Sequence, residues 1–132
     1  MTVASLVEAE TRVATDAPLI ARVIYNRLEA GESLGLDHTV GYAVRKDDLN
    51  TITAQDLNSA SPFNTRNPDN IGLPPTPTGA PSATAIAAAL APAEGDWLFY
   101  ALADTDGSYT FSSTAAQFIQ AIEVCRTRNL GC

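Results

Sequence analysis

Apolar positions recur at helical spacing in two adjacent stretches near the start of the chain. Residues 3–13 carry Val3, Leu6 and Val7 on one stripe that Glu10 continues, while Glu8 points almost the opposite way. Residues 17–28 repeat the period with Leu19, Ile20, Val23, Ile24 and Leu28. Asp16 before Pro18 reads as an N-cap with proline in the first turn, and Gly31 as the stop. Two amphipathic helices joined by a tight turn are therefore expected. The periodic signal then weakens from Ser33 to Ile71, where only 53–58 reads as a short helix, capped by Thr53 with Asp56 in the third position. The stretch around it is dense in Pro, Asn and Gly. It is expected to be an ordered loop, because it still carries Phe63, Ile71 and Leu73.

Further on, Ser82 caps a helix that runs to Leu90 and ends at Pro92. Residues 97–103 and 108–111 are short β-like runs around Asp106-Gly107, a hairpin signature. A last helix is predicted over 114–128, with Phe118, Ile119, Ile122 and Cys125 on one face. The fold class is α+β, a mostly helical domain with a small hairpin. No internal repeat is visible.

Size and charge narrow the functions. With 132 residues the chain suits one domain, 1–132. Eight Lys plus Arg face fifteen Asp plus Glu, a net charge of −7, which argues against gripping nucleic acid or anionic lipid. Hydrophobic residues at 45% and charged residues at 17% speak for a folded globule. No apolar run approaches the roughly 20 residues of a membrane helix. Two cysteines exclude a four-cysteine metal site. Cys125 and Cys132 lie too far apart along a straight helix to bond, about 10 Å, but Gly131 permits a chain reversal, so a bridge and two free thiols both remain open.

The candidate chemistry is a carboxyl. Glu10, set in an apolar stripe, is expected to be desolvated, with a raised pKa suited to a general acid near neutral pH. The plainer alternative is a solvated helix-end residue, or one paired with Arg12 or Arg22.

The strings ASLVEAET (4–11), IARVIYNRL (20–28) and LGLDHTVGY (34–42), followed in order by SPFNT (61–65), GLPPTP (72–77), AIAAALAP (85–92) and DWLFYALADTDGSYTF (96–111), resemble the catalytic domain of the endolytic murein transglycosylases, the YceG-like (MltG) family. The resemblance covers nearly the whole chain. It implies a lysozyme-like catalytic domain of enzymes that cut peptidoglycan strands internally between N-acetylmuramic acid and N-acetylglucosamine, closing the muramic 6-hydroxyl onto C1. No metal or cofactor is implied. The family's catalytic glutamate falls on Glu10, with Glu8 as the fallback. Asp104, at the end of the first hairpin strand, is the candidate assisting carboxylate, with Asp106 its competitor. Asp37 is expected to order the loop around Thr39. Asn26, Tyr42, Asn64 and Thr65 match motif positions and are candidate contacts to acetamido sugars. Departures from the pattern are His38, where a proline is common, and Thr76–Thr78 after the prolines. The resemblance further implies an excised piece of a membrane-anchored protein at the extracytoplasmic face, with cell-wall synthases as candidate partners. Rival expectations are a muramidase, in which water attacks C1, a peptidoglycan-binding module without turnover, and last a lyase acting on a small aromatic acid.

Overall fold

A computed structural model describes residues 1–132. Helix α1 (Thr2–Glu10) and helix α2 (Ala17–Ala30) form where the apolar period predicts them, with a 3-10 turn at Ala14–Asp16 between them. Gly31 ends α2 at a φ of +70°, and its N–H reaches Leu28 O at 3.2 Å. Asp16 does not cap α2 through its side chain. Its Oδ2 instead accepts the Tyr109 N–H at 3.0 Å, which ties this turn to the second strand.

Helix α3 (Asp37–Val44) was not legible in the sequence. It is eight residues long and carries Gly41 in its middle. There a Cβ would meet Lys46 O at 2.6 Å, so packing and not propensity dictates the residue. A buried hydroxyl knot fixes its start. Thr39 Oγ1 donates to Leu36 O at 2.7 Å and lies 2.6 Å from Thr65 Oγ1, which accepts the Leu36 N–H at 2.8 Å. Helix α4 (Ala54–Leu57) carries the expected capping box of Thr53 and Asp56.

The loop beyond α4 is ordered, but by amides and not by apolar burial. Ile71 and Leu73 are exposed, whereas Asn64 is fully buried. The Asn64 Nδ2 donates to Leu57 O and Ser59 O at 3.0 and 2.8 Å, and Asn70 Nδ2 donates to Ser61 O and Asn64 O.

Helix α5 (Ala83–Leu90) starts at Ser82, whose Oγ accepts the Ala85 N–H. Its alanines allow close approach: Ala85 and Ala88 enter a core built from Val3, Leu6, Val7, Ala17, Ile20, Ala21, Ile24, Leu34 and Leu36. The hairpin pairs β1 (Phe99–Leu102) with β2 (Tyr109–Ser112), antiparallel, with Tyr100 opposite Phe111 and Leu102 opposite Tyr109. One face of this two-stranded sheet turns Tyr100, Tyr109 and Phe111 onto the helical core. The other face meets helix α6 (Ala115–Thr127), where Phe99 stacks on Phe118 at 4.9 Å. Cys125 is buried there, but Ile119, predicted on the same face, is 61% exposed. After α6 the chain reverses through Asn129 and Gly131, both at positive φ, and Cys125 bonds Cys132 across a Cα–Cα distance of 6.1 Å. The architecture is the expected α+β, mostly helical.

Candidate active site

Glu10 is the last residue of α1, where helix carbonyls lack intrahelical partners. Two tyrosines from the sheet clasp it. Tyr109 Oη donates to the Glu10 main-chain oxygen at 3.0 Å, and Tyr100 Oη donates to the carboxylate Oε1 at 2.8 Å. The rings lie edge to face, 4.8 Å apart. Neither tyrosine was singled out from sequence. Their places in the strand register, on the sheet face turned to the helical core, are the signal that could have found them.

The carboxyl opens on a cleft of about 520 Å³, whose lining includes Arg12, Arg27, Ser33–Asp37, Leu49, Arg66, Leu98–Tyr100, Tyr109 and Phe118. Glu10 keeps some surface access, yet its carboxyl is surrounded by protein. Burial pushes its pKa above the ordinary carboxylate value; the Tyr100 hydrogen bond opposes this, Asp37 adds to it, and Arg66 and Arg12 draw it back. None of the four ion pairs in the chain involves Glu10. Arg22, one of its feared partners, donates to Ala93 O instead. Tyr100 and Tyr109 are themselves held neutral, their pKa values raised first by burial and then by the nearby Glu10.

Glu8 has a different environment. It is exposed, and its Oε2 accepts both the N–H and the hydroxyl of Ser82, at 3.1 and 2.5 Å. These bonds hold its pKa below the usual carboxylate value. It supports the start of α5 and stays ionised.

The structure does not bring Asp104 to the cleft. The turn closes through Ala103 N–H to Ser108 O, and Asp104 points outward, accepting from the Thr105 N–H at 2.7 Å and from Arg128 Nη2 at 3.1 Å. Its side chain is 52% exposed, and these donors hold its pKa low. Asp106 is a turn residue that accepts the Ser108 N–H. The second carboxylate lining the cleft is Asp37, paired with Arg66 Nε and Nη2 at 2.9 Å.

The proposed sugar contacts also separate from the cleft. Asn64 and Thr65 are buried and spend their polar atoms on the α4 loop and the Thr39 knot. The Asn26 amide donates to Gly95 O and Trp97 O, bracing the approach to β1. Tyr42 is 44% exposed, but its ring packs at a tilt against Phe63 beside a separate hollow with Arg45 and Asp47. The two departures noted in the sequence meet each other: His38 Nε2 lies 2.9 Å from Thr78 Oγ1, and the Thr78 N–H donates to Ser5 Oγ. His38 does not line the cleft, and burial lowers its pKa.

The comparisons with known proteins agree with one another. The YceG-like family model matches residues 1–124. The chain is 37% identical over 123 residues to a protein of Bacillus subtilis named endolytic murein transglycosylase, covering 93% of this chain and 33% of that one. A protein of the same name from Streptococcus pneumoniae is 34% identical over 117 residues, covering 86% of this chain and 21% of that one. The chain thus spans a third or less of the length of these curated relatives. A yceG-like protein from Listeria monocytogenes, solved at 2.6 Å, superposes with a TM-score of 0.83 at 34% identity, covering 90% of this chain and 38% of that one. With the family model taking in all but the last eight residues, the chain belongs to the YceG-like family.

Proposed function

We propose that this domain is an endolytic lytic transglycosylase, cutting peptidoglycan between N-acetylmuramic acid and N-acetylglucosamine with Glu10 as its acid and base. The observation that carries this is the Glu10 carboxyl itself: desolvated, raised in pKa, held by Tyr100 and free of any ion pair at the wall of a cleft. A protonated Glu10 gives its proton to the bridging oxygen as the bond from C1 to that oxygen breaks. The muramic 6-hydroxyl then adds to C1 and returns its proton to Glu10, which leaves a 1,6-anhydro end and the enzyme unchanged. The nucleophile is tethered to the carbon it attacks, so it has the effective-molarity advantage of an intramolecular group and needs no second carboxylate to deliver it. Asp104 therefore has no assigned part. Asp37, paired with Arg66, makes no hydrogen bond to Glu10 and acts on it only through space, its carboxylate raising the Glu10 pKa while Arg66 lowers it.

On this reading the domain works within a longer membrane-tethered protein at the extracytoplasmic face of the bacterial membrane, beside the synthases that make its substrate. The Cys125–Cys132 bridge suits that oxidising side, and the relatives of which the chain spans a third or less suit the larger context. No helix of this chain is long and apolar enough to cross a membrane. Digestion of uncrosslinked glycan strands, followed by mass spectrometry, tests the activity. The expected product is one water lighter than a hydrolytic one and absent with Glu10→Gln. Reducing-end muramic acid alone would establish a muramidase instead, and binding without product a recognition module.

A further inference from the structure

Five charged side chains line the Glu10 cleft: Glu10, Arg12, Arg27, Asp37 and Arg66. With Glu10 protonated, the cleft holds an excess of two positive charges inside a chain whose net charge is −7. Arg27 is the unusual member. It is half-buried, and burial lowers its pKa. Yet none of the fifteen acidic residues pairs with it; Glu32 acts on it only from a distance. Its Nε donates to Leu98 O at 2.6 Å and its Nη1 to Ser33 O at 2.8 Å, while its carbon sits 5.0 Å over the Phe99 ring. A neutral amide could tie two carbonyls. A guanidinium does so while bringing an uncompensated charge into a half-buried site, a cost that a bound anion would offset. Its remaining nitrogen, Nη2, has no protein partner. Arg66 is similar: Nε and Nη2 hold Asp37, and Nη1 is uncommitted where it runs past Gly35.

We infer that Arg27, seconded by Arg66, forms a carboxylate-binding subsite in this cleft, so that the domain selects glycan bearing an ionised acid near the scissile bond over neutral sugar polymer. The inference rests on the proposed murein-cleaving function and names what that site recognises in its substrate. Muramic acid carries such an acid in two ways. Its lactyl carboxylate is free in peptide-free strands; in peptide-bearing strands it is an amide, and carboxylates of the stem stand in. Two guanidiniums, Arg27 tied to two carbonyls and Arg66 to Asp37, each with one nitrogen uncommitted, suit that planar anion.

The test is calorimetric binding to the Glu10→Gln chain, which cannot turn over the ligand. Four probes are used: a muramic-acid-containing tetrasaccharide with free lactyl acid, the same molecule as its lactyl methylamide, a peptide-bearing counterpart, and a tetramer of N-acetylglucosamine. A carboxylated probe should bind about tenfold more tightly than the methylamide and the neutral tetramer, as expected for charge-assisted hydrogen bonds, and lose that margin in high salt. Preference for the free acid assigns the lactyl group, and preference for the peptide-bearing probe assigns the stem. Adding Arg27→Gln should abolish the margin. Because that change also loosens Leu98 and Ser33, Arg66→Gln, which leaves both ties intact, should reduce it independently. Equal binding of all four probes, or binding of none, overturns the subsite. If the acid is preferred but the wild-type chain leaves strands uncut, the subsite stands and the lytic function falls. If strands are cut and all probes bind alike, the reverse holds.

Discussion

Tyr100→Phe removes one oxygen and leaves the ring where it packs, 4.8 Å from Tyr109 and 5.8 Å from Phe111. The lost atom is the donor 2.8 Å from Glu10 Oε1. A hydrogen bond to an ionised partner contributes about 1.5–3 kcal/mol. In the proposed reaction this one matters more as the step proceeds, because Glu10 gains negative charge while its proton leaves for the bridging oxygen. The bond is thus stronger in the transition state than in the ground state, and only such a difference changes kcat. Its loss should lower kcat by about ten- to a hundredfold with little change in KM. The same bond favours the ionised carboxylate and opposes the upward push of burial. Without it the Glu10 pKa rises further, and the limb of the kcat profile where activity falls through loss of the Glu10 proton moves to higher pH. Turnover of uncrosslinked strands across pH, beside a carbon-13 titration of the Glu10 carboxyl, reads both effects. Tyr109→Phe is the contrast, since that hydroxyl donates to the main-chain oxygen and not to the carboxyl. If Tyr100→Phe leaves both the limb and the titration where they were, or moves them downward, the tyrosine does not position the acid.

Glu10→Gln should abolish turnover and keep the fold. Because the folded chain raises the Glu10 pKa, no penalty exists at low pH, where folded and unfolded chains are both protonated. Stability falls as pH rises from the ordinary carboxylate range through the folded pKa. Glutamine does not ionise, so the melting temperature of Glu10→Gln should gain on wild type as pH rises above the ordinary carboxylate range; a flat difference refutes the burial argument. Asp104→Asn should leave kcat/KM and the anhydro product unchanged, and a rise in reducing ends would return that residue to the mechanism. Asn64→Ala should destabilise the domain by at least about 2 kcal/mol in denaturant melts, since two loop carbonyls, of Leu57 and Ser59, and the Arg66 N–H lose the Asn64 side chain as a partner together.

Where local pattern decides structure, the sequence was readable. Helices α1, α2 and α5, the capping box at Thr53 and the hairpin each follow from spacing or from a cap that acts within a few residues. Helix α3 escaped because its stability is tertiary: Gly41 serves a close backbone approach, and the Thr39–Thr65 knot joins residues 26 apart in the chain. Glu10 could be singled out because a carboxyl on an apolar stripe conflicts with its surroundings, and such conflicts survive in sequence. Tyr100, Arg27 and Arg66 could not. Each gains its meaning from a partner 90, 71 or 29 residues away. The motif amides Asn26 and Asn64 show the converse: residue types suited to sugars proved to be suited to backbone as well.

The misplacement of a second carboxylate at Asp104 has a physical cause that bears on mechanism. A strand alternates its faces, and Tyr100 and Leu102 are the β1 positions turned to the core side. Residue 104 would continue that face only if the strand went on. It does not, because the bond from Ala103 N–H to Ser108 O closes the turn and Gly107, at φ +90°, folds it against the Arg12 side chain. Asp104 is thereby rotated outward to Arg128. What strand β1 delivers to the cleft is a neutral donor, the Tyr100 hydroxyl. A second ionised carboxylate in contact would raise the Glu10 pKa further and compete for its proton. A phenol instead steadies the carboxylate that forms when the proton is given, without itself titrating near neutral pH. For an acid that, as proposed, gives a proton and takes one back within a single turnover, with a tethered hydroxyl as nucleophile, a neutral donor beside one buried carboxyl is the more suitable pairing.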